Sequence, residues 1–159
     1  MKYDFIIVGG GIAGLTTAIA LQKNDYRVKV LERSTELNVA GAGLGLGANA
    51  WKGLMHLGIT NDLEMKCHLI KSTKFLDQKG NLISEMDMDR LNRKYGVANF
   101  TVHCADLQKV LFQHLLPDTI EFGKRMVDFD QNEKGVTVHL DNGNTIQEKQ
   151  LESIFHTDF

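Results

Sequence analysis

The sequence has few residues of the kinds that interrupt or cross-link a chain. Among its 159 residues there is one proline, Pro117, and the two cysteines are Cys67 and Cys104. With one proline and no low-complexity stretch there is no obvious linker, so we expect a single domain. Two distant cysteines exclude a disulfide framework, and neither they nor the six scattered histidines show metal-ligand spacing. We therefore nominate no metal ligand.

Excess charge and long apolar runs are also lacking. The formal net charge is −2, with 18 basic and 20 acidic residues, which gives no basic surface for nucleic acid or an anionic membrane. No apolar stretch approaches the ~20 residues that cross a bilayer, and the first residues lead into a short strand rather than a signal peptide. We expect a cytoplasmic globular protein that binds neither nucleic acid nor membrane.

A glycine motif stands out near the start of the chain. The apolar run Tyr3 to Val8 leads into Gly9-x-Gly11-x-x-Gly14, and an apolar helix pattern follows. Strand, glycine turn and helix in this order predict a dinucleotide-binding turn. Gly9 permits the tight turn, Gly11 lets a pyrophosphate approach the backbone, and Gly14 lets the helix pack closely on the strand. The N–H groups at the helix N-terminus attract phosphate.

The second predicted strand, 27–32, ends on an acid, Glu32, eighteen residues after Gly14. An acid at about this distance accepts hydrogen bonds from the adenosine ribose and disfavours a 2′-phosphate, so NADP is a poor candidate for this site. The alternative is a βαβ unit in which the glycine turn is incidental and Glu32 is simply solvated.

A second glycine-rich segment follows, from Val39 to Asn49. Four glycines in the seven residues Gly41–Gly47 are too many for a helix or a central strand. Interleaved alanine and leucine make the segment apolar for a flexible surface loop, which is the alternative. We predict a loop whose backbone lies against a flat, partly apolar ligand.

The rest of the pattern predicts a mixed α/β chain. The expected elements are a first strand 3–8 and helix 12–24, a helix from Ala50 to near Gly58, a short helix 60–66, a hairpin of 74–77 and 81–86, an extended segment 101–104, a helix 106–116, a third sheet strand 119–123, and a β-meander of 125–131, 135–140 and 145–147. A plain NAD domain would continue strand, helix, strand, helix. A meander at this point instead resembles the FAD-binding domain of the glutathione-reductase-like flavoproteins.

The chain resembles the N-terminal half of a class A flavin-dependent monooxygenase, of the p-hydroxybenzoate hydroxylase-like group. The resemblance covers residues 1–150 and rests on Ile6 to Leu15, Val30 to Arg33, Gly41 to Leu44 with Asn49-Ala50 and Leu57-Gly58, and His103 to Leu107 with Leu111. It implies an α/β fold: a Rossmann-like FAD-binding βαβ sheet with an inserted β-meander. Residues 1–159 would be one incomplete FAD-binding domain, in which 74–103 begins the sheet of a substrate domain.

The resemblance also implies roles for individual residues. The pyrophosphate of FAD would be held by Gly9, Gly11, Ile12, Ala13 and Gly14. Glu32 would bind the adenosine ribose and Arg33 would lie along the adenine, which Val127 would also contact. Ala42, Gly43 and Leu44 would approach the isoalloxazine ring through their backbone. For Arg33 the alternative is a solvated charge, and for Val127 plain strand packing.

Two departures from the family pattern limit this resemblance. Cys104 stands where the family usually has an arginine that reaches the phosphate and ribitol region of FAD, so flavin affinity would be weaker by the ~1.5–3 kcal/mol of a charge-assisted hydrogen bond. After Leu151 we also expect the family's next apolar strand, its Gly-Ala-Asp-Gly end and a later Gly-Asp motif to be missing. The chain would then be a fragment that lacks the C-terminal half.

Several functions fit these features. Complete relatives use NAD(P)H to reduce FAD and hydroxylate a small, often aromatic, substrate; the cofactor does the chemistry, and we nominate no catalytic residue. The alternatives are a non-catalytic fragment that binds FAD or its ADP part, another flavin oxidoreductase of the same superfamily, and a simple NAD-dependent dehydrogenase. A truncated sheet would leave an unpaired edge, so we also expect self-association.

Overall fold

The computed structural model of the chain describes residues 3–37, 41–96, 98–133, 135–148 and 153–156. The chain forms two compact units, the first of Met1–Val39 and Gln108–Phe159 and the second of Ala40–Leu107. None of the helices in the described ranges is long and apolar enough to cross a membrane.

Twelve strands and five helices make up the described part of the chain. In chain order they are β1 (Phe5–Val8), α1 (Ile12–Gln22), β2 (Val28–Leu31), β3 (Gly43–Leu46), α2 (Ala48–His56), α3 (Thr60–Glu64), β4 (Cys67–Leu69), β5 (Ser72–Leu76), β6 (Leu82–Asp87), α4 (Met88–Tyr95), β7 (Phe100–His103), α5 (Cys104–Gln113), β8 (Ile120–Glu121), β9 (Met126–Asn132), β10 (Gly135–Leu140), β11 (Thr145–Glu148) and β12 (Ser153–His156).

The first unit is built on a four-stranded parallel sheet in the order β12-β1-β2-β8. Phe5 lies opposite Val28 on one side and Ser153 on the other, and Val30 lies opposite Ile120. All four residues of β1 are buried. A parallel sheet is usually covered on both faces, which explains why β1 is an unbroken apolar run rather than an alternating one.

The two faces of the parallel sheet have different covers. On one face Phe5, Ile7 and Val30 pack with Ala18 of α1. On the other face Ile6, Val8 and Leu31 pack with three residues of β10, which are Val136, Val138 and Leu140. The predicted meander is therefore confirmed as an antiparallel sheet in the order β11-β10-β9, and its central strand closes the core.

One charged side chain, Lys29, is buried within the first unit. Its ammonium lies 2.7 Å from a carboxylate oxygen of Glu121 and donates to the carbonyl of Asp118 at 3.0 Å. Burial on its own lowers the pKa of Lys29, but the hydrogen bond and charge of Glu121 outweigh that cost and raise the pKa above its usual value. The ion pair of Lys29 and Glu121 links β2 to β8, two strands that are otherwise paired through two residues of each.

The second unit holds a three-stranded antiparallel sheet, in the order β3-β7-β4, and the separate hairpin β5-β6. Trp51 of α2 packs on Phe100 of β7 with the ring centroids 4.0 Å apart. Helix α4 is capped at its N-terminus by Asp87, whose carboxylate accepts from the Arg90 N–H at 2.9 Å, and at its C-terminus by Gly96 in the left-handed conformation.

The prediction of a loop for the second glycine-rich segment was wrong over four residues. Gly43–Leu46 form β3, which pairs with β7 alone in the described sheet. An edge strand has one neighbour and little side-chain packing to lose, so glycine is tolerated there at lower cost than in a central strand. Val39 and Ala40 of the predicted loop lie outside the described residues.

The expectation of a missing strand after the meander was also wrong. Ser153–His156 form β12, parallel to β1, although Gly-Ala-Asp-Gly is absent from the sequence. Residues 149–152 and 157–159, also part of the predicted tail, lie outside the described residues. Two other elements were not predicted, β4 and α4.

Candidate functional site

The glycine turn after β1 is fixed by contacts within the chain. Gly9 has φ +105°, a conformation that favours glycine, and its N–H donates to the Leu31 carbonyl at 2.8 Å. A Cβ atom on Gly14 would overlap the carbonyl oxygen of Gly9 and lie 3.4 Å from Ile7. Only glycine at position 14 therefore lets α1 approach the turn this closely.

Gly11 differs from its neighbours because no atom of the described residues excludes a side chain at this position. A Cβ atom there would have no atom within 4 Å, and the backbone, at φ −75°, suits any residue. Gly11 is exposed, and Leu15 donates its N–H to the Gly11 carbonyl at 2.9 Å. This glycine leaves open space at the N-terminus of α1, where helical N–H groups lack partners within the helix.

The entrance to α1 carries the electrostatics of an anion site. Ile12, Ala13 and Gly14 form the first turn, which contains no acidic residue, and Gly11 supplies no side-chain cap. The first turn therefore contributes no carboxylate of its own to neutralise the positive end of the helix dipole, and the N-cap residue contributes no side chain to cap it. Such an end accepts a phosphate or pyrophosphate group.

Glu32 reaches back to this turn from the end of β2. One carboxylate oxygen accepts the Gly10 N–H at 2.5 Å, and the other accepts the Ser34 N–H at 2.8 Å. Burial on its own raises the pKa of Glu32, but the N–H donors of Ser34 and Gly10 outweigh it, so the pKa lies below its usual value. An ionised carboxylate beside the turn still has lone pairs for ribose hydroxyls.

The other predicted adenosine contacts are less constrained. Arg33 is exposed, and its charge makes a minor contribution to keeping Glu32 ionised. Val127 lies on β9 with 60% of its surface exposed, so plain core packing does not account for it. Both residues are in the same unit as the glycine turn.

The predicted isoalloxazine contacts belong to the second unit. Ala42 and Gly43 are exposed and Leu44 is half-buried. The Ala42 carbonyl accepts the Cys104 N–H at 2.9 Å, which ties the segment to the start of α5. A Cβ atom on Gly41, Gly43 or Gly45 would meet nothing within 4 Å, so the described part of the chain does not require glycine at these three positions.

One residue of the turn's surroundings was missed by sequence reasoning. Gln108 of α5 donates from Nε2 to the carbonyl oxygen of Gly10 at 2.9 Å. The two residues are 98 positions apart, and no spacing rule connects them. Across the described ranges, no group of three or more His, Cys, Asp or Glu side chains is arranged to hold a metal ion.

Residues 2–156 match the family described as FAD binding domain. Among curated relatives, Monooxygenase 1 of Arabidopsis thaliana is 35% identical, over 94% of this chain and 37% of the relative. The aurachin C monooxygenase/isomerase of Stigmatella aurantiaca is 30% identical, over 89% of this chain and 37% of the relative. The chain thus spans little more than a third of the length of these relatives.

Solved structures agree with this fold. HpxO of Klebsiella pneumoniae, in complex with FAD and uric acid, superposes with a TM-score of 0.82 at 26% identity and covers 92% of this chain and 37% of its own. The p-nitrophenol 4-monooxygenase PnpA of Pseudomonas putida has a TM-score of 0.86 at 24% identity, over 99% of this chain and 41% of its own. The open Gly11, the tightly packed Gly14 and the ionised Glu32 suit the adenosine diphosphate part of FAD, and the chain belongs to the FAD-binding domain family.

Proposed function

We propose that the chain binds FAD. The pyrophosphate lies on Gly9, Gly11, Ile12, Ala13 and Gly14, at the N-terminus of α1. Glu32 accepts the ribose hydroxyls, and Arg33 and Val127 lie against the adenine. Ala42, Gly43 and Leu44 offer their backbone to the isoalloxazine ring.

One observation carries this proposal: the chain leaves no room for a side chain at Gly14 but leaves room for one at Gly11. The first is explained by packing alone, since a side chain would strike Gly9. The second has no such explanation among the described residues, because a Cβ atom on Gly11 would have no atom within 4 Å. A ligand that approaches the backbone accounts for glycine at position 11, and a pyrophosphate is a group that an uncapped helix N-terminus attracts.

We further propose that this domain serves an NAD(P)H-dependent monooxygenase that hydroxylates a small, often aromatic, substrate. FAD, when bound, supplies the redox chemistry. The residues of this chain bind the cofactor and orient it, and none of them is required as an acid, base or nucleophile. The relatives named as monooxygenases support this activity, and residues 74–103 would begin the sheet that contacts the substrate.

A second candidate is a domain that binds FAD or its ADP part without turnover. Another flavin oxidoreductase of the same superfamily would bind FAD in the same way and differ in its substrates.

The test is to purify the 159-residue chain and record its absorption spectrum. Copurified flavin, or saturable binding of added FAD that is tighter than binding of NAD, supports the proposal. Tighter binding of NAD would overturn it. Oxidation of NAD(P)H that accelerates when an aromatic compound is added distinguishes the monooxygenase from the non-catalytic domain.

We also propose that the chain self-associates through the hairpin β5-β6. Phe75, Leu76, Leu82, Ile83 and Met86 are each 45% to 68% exposed, and a two-stranded sheet is at best marginally stable by itself. Light scattering tests this, since a monomer at all concentrations would contradict it.

We propose a cytoplasmic location, where NAD(P)H is available, and cell fractionation tests it.

A further inference from the structure

Two consecutive peptide groups of the glycine turn are each held by a side chain. The N–H of Gly10 donates to Glu32 at 2.5 Å, and the carbonyl of Gly10 accepts from Gln108 at 2.9 Å. The two side chains come from different elements, the end of β2 and the body of α5. Gly10 itself is buried, and a Cβ atom on it would lie 3.0 Å from both Glu32 and Ile120.

The planarity of the peptide group gives these contacts a consequence at the next residue. In a trans peptide the carbonyl oxygen and the following N–H point in opposite directions. The hydrogen bond from Gln108 to the Gly10 carbonyl therefore also sets the direction of the Gly11 N–H. Gly11 is the exposed residue with open space around it, so its N–H is directed away from α5 before any ligand arrives.

We propose that Gln108 is a positioning residue for the pyrophosphate of the cofactor, acting through the Gly10–Gly11 peptide. Glycine is the residue with the greatest backbone freedom, and a turn of three consecutive glycines, Gly9, Gly10 and Gly11, needs external fixing. Glu32 fixes the peptide before Gly10 and Gln108 fixes the peptide after it. This role rests on the proposed binding of a dinucleotide, and Gln108 lies outside the motifs that carry the family resemblance.

The experiment compares Gln108→Leu with Gln113→Leu, a matched change at the exposed C-terminal end of the same helix. Three ligands are titrated into each variant: FAD, ADP and riboflavin. We expect Gln108→Leu to bind FAD and ADP about tenfold more weakly, a loss of about 1.4 kcal/mol. Its affinity for riboflavin, which has no pyrophosphate, should equal that of wild type. Wild-type affinity for FAD and ADP in this variant, or an equal loss for all three ligands, would overturn the proposal.

A second variant separates positioning from a purely structural role. Gln108→Glu places a carboxylate beside the Gly10 carbonyl, and an ionised carboxylate has no proton to donate. We expect weak ADP binding at neutral pH that recovers as the pH falls and the new side chain becomes protonated. The same loss at every pH would show that only packing was disturbed and would contradict the proposal.

The ligand-free chain provides a test that does not depend on FAD binding. Amide hydrogen exchange at Gly10, whose N–H is bonded to Glu32, is measured in wild type, Gln108→Leu and Gln113→Leu. Faster exchange at Gly10 in Gln108→Leu alone, by about tenfold, supports the role of Gln108 in fixing the turn even if wild type binds no dinucleotide. Equal exchange in all three proteins would sink the inference, whereas a wild type that binds neither FAD nor ADP would sink only the proposed function.

Discussion

The two glycine-rich segments have similar composition and opposite physical character. In the first, Gly9 has a left-handed backbone, Gly10 is enclosed by Glu32 and Ile120, and a Cβ atom on Gly14 would strike Gly9. In the second, a Cβ atom on Gly41, Gly43 or Gly45 would meet nothing. The described packing therefore demands glycine at three positions of the first segment, 9, 10 and 14. It does not demand glycine at 41, 43 or 45 of the second segment, where the proposed reason is the ligand, whereas a Cβ atom on Gly47 would lie 2.9 Å from the Asn49 side chain.

Gly11 lies in the first segment, but it resembles Gly41, Gly43 and Gly45 of the second segment because a Cβ atom on it would meet nothing. It lies between two constrained glycines, yet the space beside it is open. The comparison thus distinguishes glycines that shape the protein from glycines that leave room for a partner. Substitutions can test that distinction, because the first kind should change stability and the second kind only binding.

The largest effect is expected for Gly14→Ala. The added methyl group meets backbone, which cannot rotate away, so α1 must move from β1. We expect a loss of about 3 kcal/mol in the free energy of unfolding, at the upper end of the usual cost of overpacking, measured by urea denaturation. A variant as stable as wild type would show that the turn is looser than its contacts imply.

The next effect concerns the acid that holds the first segment. Glu32→Gln replaces an acceptor oxygen with an NH2 group, so either Gly10 or Ser34 loses its hydrogen bond. We expect a loss of about 1.5 kcal/mol in stability at neutral pH. Glu36→Gln, at an exposed position nearby, is the control and should have no effect.

The pH dependence of that loss has a definite sign. The pKa of Glu32 is lowered in the folded chain, so its contribution is complete above the ordinary pKa of glutamate. It disappears as the pH falls through the lower, folded value. The stability gap between wild type and Glu32→Gln should therefore close under acid conditions, and a gap that widens there would refute the assignment.

A smaller effect, on binding alone, is expected for Gly11→Ala. The backbone at φ −75° accepts alanine, and alanine restricts the unfolded chain, so stability should be unchanged or rise by about 0.4–1 kcal/mol. The methyl group would occupy the space left for the pyrophosphate, and FAD affinity should fall about tenfold, or about 1.4 kcal/mol. Fluorescence titration with FAD measures the loss, and unchanged affinity would remove the main support for the proposed function.

The smallest effect is expected for Gly43→Ala in β3. The position is exposed on an edge strand, so stability should not fall. The proposed contact is with the isoalloxazine ring, and we expect FAD affinity to fall a few-fold, within about 1 kcal/mol, while ADP affinity stays the same. An equal change for FAD and ADP would place Gly43 away from the flavin end.

The sequence predicted the first unit well because its signals are local and consistent. The β1 run, the glycine spacing and the apolar residues of α1 each indicate the same strand, turn and helix, and Glu32 lies where the spacing places it. The meander was predicted from its turns, Asn132 to Gly135 and Asp141 to Asn144. What no pattern could supply is the pairing across the chain, such as Gln108 with Gly10.

The elements that were missed lack a strong apolar pattern. Helix α4 has the sequence MDRLNRKY, with few apolar residues to set a helical period. Its signals were at the ends instead, where Asp87 caps the first turn and Gly96 takes the left-handed conformation. Strand β12 has only four residues, too few for a reliable pattern, and what defines it is its neighbour β1.

The position of β1 between β2 and β12 has a consequence for how the chain is made. Phe5 lies opposite both Val28 and Ser153, so β1 pairs with one strand that is made soon after it and with another that is made much later. At about 5–20 residues per second, the β12 side of β1 stays uncovered for on the order of ten seconds. The unit of β1, α1 and β2 can therefore form well before β12 is available to pair with β1. During that interval the open edge of β1 is where a chaperone or a neighbouring nascent chain would bind.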